Sequence, residues 1–192
     1  MLTTQDLLTL EDYSKIRDEF RTNAIDHRRQ RQVAIGPNCT LAFEDKDTIK
    51  YQIQEMLYIE KTFTPRGIKD ELDAYNPLIP NGTNLIATMT LEYGDPELRK
   101  IKLEQLKNIE DTVYLRIQGH QRIYAIADED LERSNDAKTS AVHFIRFDLK
   151  PGEIVDFKDL TNKVYIGISH DLYPYEVMLG DNTREELVKD FV

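Results

Sequence analysis

His27 and Glu60 are the residues of this chain whose placement most needs a chemical reason, because each falls on the apolar stripe of its own predicted long helix. A carboxylate on such a stripe must be paired, hydrogen-bonded or protonated, since burying a bare charge is costly. Two helices packed together would let the residues meet. An imidazole with one or more carboxylates is a ligand set for a non-haem metal ion, iron or zinc, or a proton-transfer pair. His143 is the second imidazole that could join Glu60 at such a metal, with nitrogen at about 2.0–2.2 Å from a zinc-like ion. It lies on a strand face with Ala141, Ile145 and Phe147, where a core histidine is the commoner outcome. The competing reading of Glu60 is structural: a buried pair with Arg31 or Tyr13 that holds the helices in register, as buried polar groups ordinarily find partners.

His27-Arg28-Arg29-Gln30-Arg31 is a basic cluster in a chain of net charge −10. Arg28, Arg29 and Arg31 could grip a phosphate, a carboxylate or a nucleotide, arginine being suited to bidentate contacts. The alternative is a solvated helix end, where cations sit favourably near the C-terminus. His120, at a predicted turn tip, is expected to be exposed, and His170 falls in a loop. Neither HExxH nor a close His pair is present, and GxxxxGK[ST], GxGxxG and GxSxG are missing too, so phosphate loops and the serine-hydrolase elbow are not indicated. Cys39 is the only cysteine, which excludes an intrachain disulfide and a cysteine-ligated zinc or iron–sulfur cluster. A small buried thiol is its default.

The elements that must position these residues follow from periodicity and caps. The spacing predicts a helix over 10–32 with a stripe of Tyr13, Ile16, Phe20 and Ala24, which helical spacing extends to His27 and Arg31. Short strands follow at 33–35 and 39–43. Asp45 caps a helix over 46–63 with Ile49, Ile53, Met56, Leu57 and Phe63 on its stripe. Thr64-Pro65 starts another helix, proline being welcome at the first helical position, and Asn76-Pro77 ends it. A strand at 85–93 and a helix opened by Asp95-Pro96 come next. Residues 113–118 and 121–127 read as a hairpin turning at Gly119-His120. A helical turn at 128–133 and a polar loop at 134–138 lead to a strand at 140–149. That strand is apolar on both faces and therefore central. Pro151-Gly152 breaks the sheet, 163–168 is a strand, 171–174 a turn, and Asn182-x-x-Glu185 a capping box for a last helix. Tyr13, Phe20, Ile53, Leu57 and Phe63 are expected to be largely buried.

Helices precede most strands, so the expected class is α+β: a mainly antiparallel sheet from the second half packed against N-terminal helices. The 192 residues suit one domain, with a mostly helical part at 1–110, a strand-rich part at 111–170 and a C-terminal turn and helix at 171–192. Hydrophobic residues are 40% and charged residues 31% of the chain, which is ordinary for a soluble protein. The apolar runs are too short to span a bilayer. The first residues are acidic where a signal peptide is basic and then apolar, so a cytoplasmic location is expected. The negative charge argues against general nucleic-acid binding, which rests on phosphate contacts.

The stretches TLAFEDKDTIKYQIQEM, ELDAYNPLIPNGTN, GHQRIYAIADEDLER and KTSAVHFIRFDL resemble a bacterial family, the domain of unknown function 3501. The resemblance runs from LTLEDYSKIRDEFR to HFIRFDL and more loosely to the end. His27, Glu60, His120 and His143 fall within it, whereas His170 lies in the less similar VYIGISHDLYPYEV. The family name carries no activity. What the resemblance implies is context: an accessory role in oxidative-stress or redox metabolism, beside a rubrerythrin-like protein and an iron–sulfur oxidoreductase. Three functions stand open at this point. They are a redox accessory with a metal held by His and carboxylates, a non-enzymatic adaptor docking a redox partner, and an anion or nucleotide sensor built on Arg28, Arg29 and Arg31.

Overall fold

Two antiparallel sheets share one apolar core, and helices cover the outer face of the larger sheet. The structure, a computed structural model, describes residues 1–127 and 139–192. The helical turn expected at 128–133 and the loop at 134–138 lie outside the described residues. In chain order the elements are α1 (Leu10–Gln30), β1 (Gln32–Ile35), β2 (Cys39–Phe43), α2 (Lys46–Glu60), α3 (Pro65–Tyr75), β3 (Asn84–Leu91) and α4 (Pro96–Gln105). Then come β4 (Val113–Ile117), β5 (Ile123–Tyr124), β6 (Ile126–Ala127), β7 (Val142–Asp148), α5 (Pro151–Lys158), β8 (Val164–His170), β9 (Tyr173–Met178) and α6 (Asp181–Val188). The sheets run β1-β2-β3-β7-β6 and β5-β4-β8-β9. The class is α+β and antiparallel as expected, with the refinement that β1, β2 and β3 of the first half build most of the larger sheet.

Alternation along the strands sets the layers. Leu41, Phe43, Leu85, Ala87, Met89, Ile145 and Phe147 from one sheet meet Val113, Leu115, Ile117, Val164, Ile166 and Ile168 from the other. Ile86 and Phe144 point the opposite way, onto Ile49, Ile53, Leu57 and Leu72 of α2 and α3. The hairpin expected at 113–127 is present, with Tyr114 opposite Tyr124 and Leu115 opposite Ile123. Its turn contains Gly119 at φ +86°, a value that suits glycine. The second strand divides at buried Ala125, whose N–H donates to Val113 O at 2.8 Å. Ile123, Ala125 and Ala127 all keep to the core side, so one alternating strand serves both sheets where they meet. Beyond Ala125 it pairs with β7 instead of β4. β7 itself is flanked on both sides, by β3 and β6.

Several expectations fail for local reasons. α2 stops at Glu60 because Lys61 takes the left-handed conformation, φ +52°. Phe63 therefore leaves the stripe and is 75% exposed, not buried. Tyr13, Ile53 and Leu57 are buried, and Phe20 is half-buried against Tyr13 and Tyr51. Ile16 is exposed, and Arg17, one position on, faces α2 in its place. Pro151-Gly152 opens α5 rather than only ending the sheet, with Glu153 Oε2 accepting from Lys150 N–H at 2.7 Å. The expected turn at 171–174 is shorter, since Tyr173 begins β9 opposite His170. α6 starts from Gly180, so the Asn182 capping box is not used.

Candidate functional site

The end of α1, the segment joining β2 to α2 and the last turn after α6 converge on one cleft of about 740 Å³, whose walls include His27, Arg31, Asp45, Lys46, Lys189 and Asp190. The β1–β2 hairpin brings the first two together. Its register pairs Gln32 with Ala42, so Phe43 returns beside Arg31, and Phe43 N–H donates to Arg31 O at 3.0 Å. Glu44 and Asp45 then lie level with the His27–Arg31 turn. Asp45 caps α2: its Oδ1 accepts from the N–H groups of Asp47 at 2.9 Å and Thr48 at 2.8 Å. Such caps satisfy the free N–H groups of a helix start. Oδ2 remains for the cleft, 2.6 Å from His27 Nε2 and 3.5 Å from Arg31 Nε.

Arg31 is 1% exposed and caps α1. Its guanidinium donates to the carbonyls of Phe43 at 3.1 Å and of Glu44 and Glu186 at 3.2 Å each, and to the carboxylate of Asp190. Asp190 is held there by a parallel bridge between Phe191 and Gly82. Below this layer Glu44, also buried, accepts from Thr48 Oγ1 and Thr88 Oγ1 at 2.6 Å each. No buried side-chain nitrogen or oxygen among the described residues lacks a hydrogen-bond partner. That completeness is what lets so many charges lie below the surface.

The two carboxylates flanking Arg31 are driven apart in acidity. Burial pushes Asp190 up to about 6, against the lowering pull of Arg31, with Asp45 pushing the same way as burial. Burial also acts upward on Asp45, but Arg31, the Thr48 N–H and His27 together outweigh it and hold that carboxyl below its usual value. Asp45 is therefore an ionised acceptor, so the Nε2 facing it carries the proton and donates. Nδ1, on the other side of the ring, takes no part in that contact.

The residues singled out from sequence do not assemble into one site. Glu60, expected to be buried, is exposed at the last position of α2. His27 meets Asp45 at the other end of that helix, fifteen residues away, or about 22 Å at the helical rise. The carboxylate that joins α1 to α2 is Glu55, which accepts from Tyr13 Oη at 2.5 Å and from Arg17 Nε and Nη2 at 2.8 Å each. His143 is buried in a separate cluster. Its Nε2 lies 2.9 Å from Thr139 Oγ1 and 3.0 Å from Ser140 O, and Thr139 Oγ1 donates to Glu110 Oε2 at 2.9 Å. No group of three or more His, Cys, Asp or Glu among the described residues is placed to hold a metal ion. The cation between Asp45 and Asp190 is the Arg31 guanidinium.

The arginine cluster also separates. Arg31 is spent on internal carbonyls and carboxylates, Arg28 Nη2 sits 3.7 Å from Glu44, and Arg29 points outward to Asp26. His120, expected to be exposed, is half-buried with Nε2 2.6 Å from Asp156 Oδ2. His170 Nδ1 accepts from Leu172 N–H at 3.2 Å. Sequence reasoning treated Asp45 only as a cap and passed over Glu44 and Asp190. The available signal was the acidic pair Glu44-Asp45 closing a short hairpin that begins just after a basic helix end.

A family model described as "Protein of unknown function (DUF3501)" matches residues 1–191. The chain belongs to this family. A crystal structure of a novel protein of unknown function from Burkholderia pseudomallei K96243 is similar to it at 45% identity and a TM-score of 0.94, over 100% of this chain and 99% of that one. No curated protein matches. No helix among the described residues of this DUF3501 chain is long and apolar enough to cross a membrane.

Proposed function

We propose that the cleft between α1, α2 and α6 binds a small polar ligand and that His27 Nδ1 accepts a proton from it. Asp45 acts as a positioning residue that fixes the ring and its tautomer, the role a carboxylate plays behind a catalytic histidine. The observation that carries this reading is the 2.6 Å contact between His27 Nε2 and an oxygen of Asp45 whose partner oxygen is committed to the α2 start. An imidazole held this way presents its second nitrogen with little conformational freedom to lose. The divergent acidities of Asp45 and Asp190 support the same reading, since titratable neighbours driven apart mark acid and base roles.

The redox context remains a proposal that rests on the family resemblance. Cys39 is buried and its thiol is pushed up to about 12, chiefly by burial, so this chain offers no ready thiolate. Any thiol step would fall to a partner.

The model ester p-nitrophenyl acetate tests the base directly. The parent should release p-nitrophenolate above the buffer background with saturation, and His27→Gln should lower that rate about tenfold, equivalent to about 1.4 kcal/mol. The ring is half-buried at a surface cleft, so the variant should melt within a few degrees of the parent. Equal rates from the two folded proteins would remove His27 from the reaction.

A further inference from the structure

A second concavity lies at the far end of the helical layer. The segment before α1, the end of α2 and the start of α3 enclose an apolar groove of about 250 Å³, lined by Leu7, Leu10, Leu57 and Ile68 with Phe63 at its lip. Phe63 is 75% exposed. A large aromatic side chain left in water at the lip of an apolar groove marks a surface that another molecule covers. The space accepts one or two side chains, which suits the anchors of a helix laid into a groove better than a whole small molecule.

Charge decides what kind of helix. Around the groove Glu11, Asp12, Glu60, Asp70, Glu71 and Asp73 outnumber Lys15, Lys61, Arg66 and Lys69, six carboxylates to four cations. Lys15 is already engaged by Glu11 and Asp12, and Lys69 by Asp73. Glu60, Asp70 and Glu71 crowd together closely enough that, after burial, the first two push the Glu71 carboxyl up. A second copy of this chain fits poorly: it carries net charge −10, and like-charged surfaces repel.

We propose that this groove docks a basic amphipathic helix of a partner protein, with apolar anchors against Phe63 and Leu57 and lysines or arginines against Glu60, Asp70 and Glu71. The surface is independent of the His27 cleft, which lies at the opposite end of α2.

A labelled synthetic Leu/Lys amphipathic helical peptide is the probe, read by fluorescence anisotropy at low salt. It should bind saturably, and Phe63→Ser should weaken it about tenfold, or about 1.4 kcal/mol. Phe63 is largely exposed, so the variant should keep the parent's melting temperature. A Leu/Glu peptide and a Lys/Ser peptide of equal length should bind at least about tenfold more weakly. The proposal is overturned if the Lys/Ser peptide binds as well as the Leu/Lys peptide, which would mean charge alone. It is also overturned if Phe63→Ser leaves the affinity unchanged, or if sedimentation shows a dimer of the parent that Phe63→Ser abolishes.

Discussion

Replacing Arg31 with Met should lower the unfolding free energy by about 3–5 kcal/mol at neutral pH, the usual cost of removing one partner of a buried ion pair. Methionine supplies similar apolar bulk, so the loss is electrostatic and not a cavity. The carbonyls of Phe43, Glu44 and Glu186 lose their donor, and Asp190 and Asp45 face each other without the cation between them. Urea unfolding with an unchanged m-value is the measurement. Adding Asp190→Asn to Arg31→Met should return part of the loss, because one stranded charge is gone. A single variant within about 1 kcal/mol of the parent would contradict the picture of Arg31 as the pin of the cleft.

Asp190→Asn alone should change how stability depends on pH. The folded state raises this carboxyl from 3.8 to about 6, so between those values the native protein binds the proton more tightly than the unfolded chain does. Its contribution is therefore fully present below about pH 4 and is lost as pH rises through 6. The parent's unfolding free energy should fall by about 1.4 kcal/mol per pH unit across that window from this group, about 3 kcal/mol in total. The variant lacks that limb. Asp45 acts with the opposite sign: its depressed carboxyl adds stability above its unfolded value and loses it in acid. The difference between parent and Asp190→Asn, measured from pH 4 to 7, isolates the first effect. A flat difference would mean that burial at Asp190 is compensated in full by Arg31.

Much of the architecture was legible because the elements carry strong local signals. Asp45, Thr64 and Asp95 cap their helices as read, period-two alternation placed β4, and a run apolar on both faces placed β7. What failed was decided by tertiary geometry. Nothing local to 121–127 tells that Ala125 sits where two sheets meet, and a proline-glycine pair reads as a breaker although proline also opens helices. One position of the α1 stripe was misjudged: Arg17 faces α2 and Ile16 does not, since Arg17 finds Glu55 and the ring of Tyr58 across the interface. The same kind of error put Glu60 on a buried stripe that ends before it.

For the site, His27 and Arg31 were recognised as polar residues on an apolar face, but their partners were not. Asp45 looks like an ordinary cap because one of its oxygens is one. Asp190 is separated from Arg31 by 159 positions, and no periodicity connects residues that far apart. Glu44 was missed because an acidic residue at a strand end normally points to solvent. Here the strand end is roofed by α2 and flanked by Thr48 and Thr88.

The tautomer of His27 tests the central claim most directly, and long-range nitrogen–carbon-bound-proton NMR of histidine-labelled protein at neutral pH reports it. The account predicts one histidine spin system, lost in His27→Gln, with Nε2 protonated and Nδ1 bare, and it predicts that Asp45→Asn disturbs this state. A His27 ring protonated at Nδ1 in the neutral form, or one unchanged by Asp45→Asn, would show that Asp45 does not set the ring and that Nδ1 is not the proton acceptor of the cleft.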